Sequence, residues 1–188
     1  MRHDRAMRLA AVCLVTLVAC SEDGEVACTL DDAGDAGDVT ASAAQRCNVS
    51  GSMGQRKWWR ISAELPGTDD IVQLELYEQA GAFAGGTVRT GTFAVEADPA
   101  SCGVCLRGRS GSTEYRGVTG TVTIDAIGAG GTTANVTITG ASFEDTEGGA
   151  CVATVERVRI TGEIQDLGGT GMGGGGGGTM QCPKTVGD

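Results

Sequence analysis

The chain has 188 residues, 24 acidic against 14 basic, and a net charge of −10 at neutral pH. That balance argues against a nucleic-acid partner, whose phosphates call for a basic face. It suits solubility and divalent cations instead. The one histidine is His3, so past the first few residues there is no imidazole for a Ser-His-Asp or Cys-His mechanism or for a histidine metal site.

Residues 1–8 carry Arg2, Arg5 and Arg8 against Asp4, and residues 9–19 are an unbroken run of eleven apolar or small side chains. A membrane-spanning helix needs ~20 such residues, so this run has the length of a signal-peptide core. It ends in Leu17-Val18-Ala19-Cys20, which resembles the lipobox of bacterial lipoproteins. The resemblance implies removal of residues 1–19, lipidation of Cys20 and export to the cell envelope. Several acyl chains would anchor the protein stably where one would not. Ser21 in place of Asp leans the expected address toward the outer membrane. A soluble exported product, with Cys20 an ordinary disulfide cysteine, is the alternative. Processing would remove three basic residues and one acidic one, leaving 11 against 23 and a net charge of −12.

Residues 20–46 are read as the lipidated cysteine followed by an acidic, disordered tether. The 26 residues 21–46 hold seven carboxylates, one basic residue and no aromatic, a composition that does not collapse into a core. Asp31, Asp32, Asp35 and Asp38 are weak calcium candidates. They lack the alternating ligands and closing Glu of an EF-hand loop, and a solvated linker is the plainer reading.

From 47 to 166 the pattern turns to period two, the mark of half-buried strands. Over 57–65, Trp59, Ile61, Ala63 and Leu65 share one face, with Trp58, Arg60, Ser62 and Glu64 on the other. Over 71–77, Val72, Leu74 and Leu76 point inward. Further strands are expected at 91–96, 121–126, 135–140 and 155–164, the last with a phase break near Val155–Glu156 that suggests a bulge. Turn signals at Pro66-Gly67, Gly85-Gly86, Asp98-Pro99, Gly130-Gly131 and Gly148-Gly149 separate them. About seven short strands so spaced predict an all-β domain, an antiparallel sandwich or jelly roll. The threonine-rich strands at 121–126 and 135–140 are expected to be neighbours. Beyond Asp166 lies a glycine-rich tail, 167–188, with six consecutive glycines whose backbone entropy resists ordering.

The series Gly81-x-Phe83-x-x-Gly86, Gly91-Thr92-Phe93, Cys102-x-x-Cys105, Gly120-Thr121-Val122-Thr123-Ile124, Asn135-Val136-Thr137 and Gly149-Ala150-Cys151 resembles a group of uncharacterised bacterial cell-envelope lipoproteins. The resemblance covers most of 71–164 and brings no activity or site residue with it.

Three constellations could carry function. Cys28, Cys47, Cys102, Cys105, Cys151 and Cys182 remain once the leader and Cys20 are set aside, an even number that reads as three disulfides with fifteen connectivities. Two cysteines three apart in extended chain lie ~10 Å apart and cannot join. Cys102 and Cys105 would close on each other only if Gly103 turned. Cys47 precedes the first expected strand and Cys151 opens the last, so these four are expected to pair among themselves. A redox centre would need a βαβ setting. Trp58, beside Arg60 on the polar face, is the candidate ligand contact, unless that face too is covered. Finally, Glu64, Asp69, Asp70, Glu75, Glu144 and Asp145 supply carboxylates, of which a glycosidase needs two at a set separation. The expectation is therefore a lipid-anchored envelope module that binds a glycan or protein ligand or serves adhesion or envelope structure, with no cofactor. A carboxylate-dependent glycan hydrolase is the alternative.

Overall fold

The structure is a computed structural model and describes residues 28–30, 32–51, 54–146 and 152–167. The proposed leader, Cys20, Asp31, Cys151, Cys182 and residues 168–188 lie outside the described residues. Ten strands follow in chain order: β1 (Ala33–Thr40), β2 (Ala43–Gly51), β3 (Gly54–Glu64), β4 (Ile71–Tyr77), β5 (Gly91–Ala94), β6 (Val104–Ser110), β7 (Thr113–Ala126), β8 (Thr133–Asp145), β9 (Val152–Glu163) and β10 (Gln165–Asp166). Among the described residues the only helical element is a single 3₁₀ turn, Gly81–Phe83.

The all-β expectation holds, but the sandwich does not describe the result. One mixed sheet carries the order β1-β9-β8-β7-β6-β4-β3-β2-β10, with β5 on β7. β1 runs parallel to β9 and β10 parallel to β2, while the other pairs are antiparallel. The sheet curls into a half-barrel and buries its concave face against itself. Its ends approach where β1 passes into β2: Ala41 N donates to Thr161 O and Ser42 N to Ser62 O, both at 2.8 Å. Inward alternation is the same whether a face meets a second sheet or the far side of its own, so period two could not distinguish the two architectures.

Strand registers match the sequence pattern closely. Trp59, Ile61, Ala63 and Leu65, with Val72, Leu74 and Leu76, enter the core cluster, joined by Val122, Ile124, Val136, Ile138, Val158 and Ile160. β7 and β8 are neighbours, as expected. The phase break in β9 also occurs: inward positions pass from Ala153 and Val155 to Val158 and Ile160. The extra residue that accommodates it sits on β1, between Asp35 and Asp38.

The tether reading needs correction. Residues 33–40 are not disordered but form β1, and β2 begins at Ala43. Acidic side chains that could not build a core instead dock on β9. Asp32 accepts from Thr154 N (2.7 Å) and Oγ1 (2.9 Å). Asp35 accepts from Arg157 Nη1 (2.9 Å), and Asp38 faces both Arg157 and Arg159. Ala33, Ala36 and Val39 pack on the core edge. Opposite charge on the neighbouring strand replaces the missing apolar face.

Candidate functional site

The convex face of β3, β4 and β6, which the sequence left open to be either wet or covered, is buried. Arg60, Ser62 and Gln73 are wholly buried, and Glu75 and Trp58 nearly so. Buried polar atoms are normally paired, and Ser62, Gln73 and Glu75 form a chain that runs on to Tyr77 and Arg107. Ser62 Oγ donates to Gln73 Oε1 (3.0 Å), and Gln73 Nε2 to Glu75 Oε1 (2.8 Å). Tyr77 OH donates to Glu75 Oε2 (3.1 Å), and Arg107 Nε lies 3.1 Å from Glu75 Oε1. Burial pushes the Tyr77 phenol well above its ordinary pKa, and the adjacent Glu75 carboxylate adds to the shift. Tyr77 is therefore a fixed hydroxyl donor rather than an acid.

Trp58 and Arg60, the expected ligand contacts, are thereby corrected: Trp58 is 4 % exposed and Arg60 0 %, so neither is presented to solvent. Trp58 stacks on Tyr77 at 5.6 Å between ring centroids and 12° between planes, with Arg56 over the far ring. Trp59 is in the core as expected, its Nε1 donating to Gly128 O at 2.9 Å. Strand alternation placed both rings on the correct faces but could not show that both faces are covered.

Beyond Tyr77 the same face opens into a cavity of about 410 Å³. Its walls are Glu75 and Tyr77 of β4, the β5–β6 loop at Glu96, Ala97 and Pro99, the Cys102 to Arg107 segment, Arg116 and Gly117 of β7, and Glu144, Asp145 and Thr146 at the end of β8. Cross-strand pairing aligns Gln73, Arg107, Arg116 and Glu144 in one row, which brings two guanidinium groups to the rim. Arg116 Nη2 lies 3.6 Å from Glu144 Oε2, and both side chains are about half exposed.

The Cys102–Cys105 disulfide forms one wall, with the two Cα atoms 5.8 Å apart. The condition set by the spacing is met: the chain is not extended across Cys102 and Cys105, so they join each other. Gly103 bends, and Glu96 Oε2 holds the bend by accepting from Gly103 N (2.7 Å), Val104 N (3.1 Å) and Ala82 N (3.2 Å). A side chain at Gly103 would run into Ala80 O. The Asp98-Pro99 turn feeds this bend: Cys102 N donates to Asp98 O (3.0 Å). Ser101 Oγ (2.7 Å) and Ala100 N donate to the Asp98 carboxylate and hold its pKa below the usual range. Cys28 and Cys47 are disulfide-bonded as well.

Of the six carboxylates singled out in the sequence, the fold brings Glu75, Glu144 and Asp145 to the cavity and leaves Glu64, Asp69 and Asp70 at the β3–β4 hairpin. Sequence reasoning missed Glu96, Tyr77, Arg107 and Arg116. The available signal was the outward phase of Tyr77 on 71–77; Arg107 and Arg116 lie outside the strands expected from the sequence. Asp32, Asp35 and Asp38 do not converge as calcium ligands, being taken up by Thr154, Arg157 and Arg159. Among the described residues no three His, Cys, Asp or Glu side chains are grouped to hold a metal ion. Compared with protein-family models, curated proteins and solved structures, the chain matches none.

Proposed function

We propose that the protein is a lipid-anchored cell-envelope module that captures a small polar ligand, a glycan unit, in the convex-face cavity without transforming it. The observation that carries this reading is the state of the cavity's carboxylates. Glu75 accepts from three side chains, Glu96 from three backbone N–H groups, and Glu144 faces Arg116. A glycosidase needs one carboxyl free to donate a proton and another free to attack or to activate water. These groups are arranged as acceptors that build the wall. A volume of about 410 Å³ lies in the ~300–1,000 Å³ range of small-molecule sites. Guanidinium and carboxylate groups on its rim can each pair with two neighbouring sugar hydroxyls. The anchor rests on Cys20 after Leu17-Val18-Ala19, and the exported address on the same leader.

The test is binding of the full exported chain to a panel of glycans and envelope components, with product analysis on the same samples. Arg116→Ala should weaken capture at least ~10-fold, as expected for loss of a charge-assisted pair, whereas Arg89→Ala, which lies on the Phe83 and Phe93 rings instead, should not. Release of reducing sugar would replace the capture reading with the hydrolase. In the native host, Cys20→Ser should move the protein from the detergent phase to the soluble fraction. An unmodified N-terminus on the wild-type protein would refute the anchor.

A further inference from the structure

The row of Gln73, Arg107, Arg116 and Glu144 crosses β4, β6, β7 and β8 in that order, and its two middle members are both cations. Arg107 and Arg116 are direct cross-strand partners, a placement in which like charges destabilise a sheet. Each meets its carboxylate on the side away from the other. Arg107 Nε lies 3.1 Å from Glu75 Oε1 on β4, and Arg116 Nη2 lies 3.6 Å from Glu144 Oε2 on β8. Both arginines line the cavity, and the charges that compensate them stand on their outer flanks.

The donors of this pair are largely unspent. A guanidinium carries five N–H groups in a planar fork. The Glu75 contact engages Arg107 through Nε, and the Glu144 contact is too long for a hydrogen bond. The inner carboxylates of the wall are occupied by contrast. Glu75 also accepts from Gln73 and Tyr77, and Glu96 from three backbone N–H groups. Cations are concentrated on this side of the sheet as well. Arg56, Arg60, Arg107, Arg109 and Arg116 share the convex phase of β3, β6 and β7, five of the 14 basic residues in a chain of net charge −10. We infer that Arg107 and Arg116 form a carboxylate site, so that the captured glycan is an acidic one, a uronate, whose carboxylate bridges the two guanidinium groups. This deepens the capture reading and rests on it. A planar carboxylate presents two oxygens in the geometry that guanidinium forks prefer, and its charge relieves the repulsion within the pair. Glu144 is the stand-in that it displaces from Arg116. Both members of that ion pair are about half exposed, and exposed pairs hold weakly. Glu75 is almost wholly buried and stays in place behind Arg107.

Chemical-shift titration of the labelled full exported chain tests the site with galacturonate against galactose and glucuronate against glucose. Within each pair the sugars differ only in a carboxylate in place of a hydroxymethyl group. At neutral pH a uronate should bind at least ~10-fold more tightly than its neutral partner, as expected for a charge-assisted pair. Arg107→Lys and Arg116→Lys keep the charge and lose the fork, and each should erase most of that preference. Glu144→Gln should raise it several-fold, because the competing carboxylate is gone. Wild-type amide dispersion shows that each variant is folded. Should Arg107→Lys fail to fold, the variants at the half-exposed Arg116 and Glu144 carry the test. Equal affinity within both sugar pairs would overturn the inference and leave capture of a neutral glycan standing. Acetate bound as tightly as a uronate, and lost in the same lysine variants, would keep the carboxylate site and overturn the glycan reading. No shift with any of these ligands would overturn the inference, and the glycan panel would then decide the capture reading alone.

Discussion

Trp58 shows how far one residue's reading depends on what covers it. Strand phase put it opposite Trp59, on the side of Arg60, Ser62 and Glu64, and that side is a second buried layer with polar contents. The two rings should therefore behave alike in stability. Trp59→Ala and Trp58→Ala should each lower unfolding free energy by ~3–5 kcal/mol, the usual consequence of truncating a buried aromatic ring. Urea denaturation of both variants checks this. A loss under ~1 kcal/mol for Trp58→Ala, the size of a surface change, would return that ring to solvent. Glu75 supplies a second test on the same layer. Glu75→Ala removes the acceptor of Gln73, Tyr77 and Arg107 together. Breaking a buried ion pair costs ~3–5 kcal/mol, and with Arg107 about one-third exposed the low end of that range is expected. Glu75→Gln, which keeps an acceptor oxygen, should recover part of the loss.

At the scale of elements, strands with an apolar phase were legible and strands held by charge were not. β3 and β4 follow the sequence within a few residues because Trp59 to Leu65 and Val72 to Leu76 alternate without interruption. β1 was illegible because its inward positions, Ala33, Ala36 and Val39, are small and phase-shifted at the bulge. Its outward carboxylates look like solvated linker until Arg157 and Arg159 are placed beside them. The site was legible only in pieces for the same reason: Arg107, Arg116 and Glu144 meet across three strands, and no spacing within one strand reports that. The docking of β1 should show in acid. Asp35 has its pKa lowered below 3.8, first by the Gly37 N–H it accepts and then by Arg157. A depressed folded-state value means its stabilisation is complete above the unfolded value near 3.8 and disappears as pH falls through the lower folded value. Wild type should therefore melt above Asp35→Asn at neutral pH, and the difference should close below pH 3.8. Because the pair is exposed, the gap should also narrow with added salt. A difference that persists unchanged at the lowest pH would mean that β1 is held by its apolar contacts alone.

For the whole molecule, curvature is what converts one sheet into a closed core, and it is concentrated along a line of irregular positions. The β7–β8 ladder shifts register between Gly117 and Thr119 and again between Thr119 and Thr121. Gly120 and Gly140 face this break from adjacent strands with φ of +132° and +57°. On β9 the inward phase changes after Val155, and β1 carries its bulge between Asp35 and Asp38. Four neighbouring strands thus bend at the same height, the means by which a sheet is made to curl. Gly120 is the most constrained of these positions. Besides its positive φ, an added Cβ would lie 2.9 Å from Ala141 Cα and 3.2 Å from its Cβ, so the neighbouring backbone would have to move. Gly120→Ala should cost more than the ~1–3 kcal/mol of backbone strain alone. Gly140→Ala, where nothing lies within 4 Å of the added carbon, should cost ~1–2 kcal/mol for the left-handed conformation. Gly86→Ala is the control: it has open space and no positive φ, so it should stay within ~0.5 kcal/mol of wild type. Chemical denaturation of the three variants gives the ranking. If Gly120→Ala proved no worse than Gly86→Ala, the curl would have to be set elsewhere, by the Ala41 and Ser42 hydrogen bonds that bring the sheet's ends together.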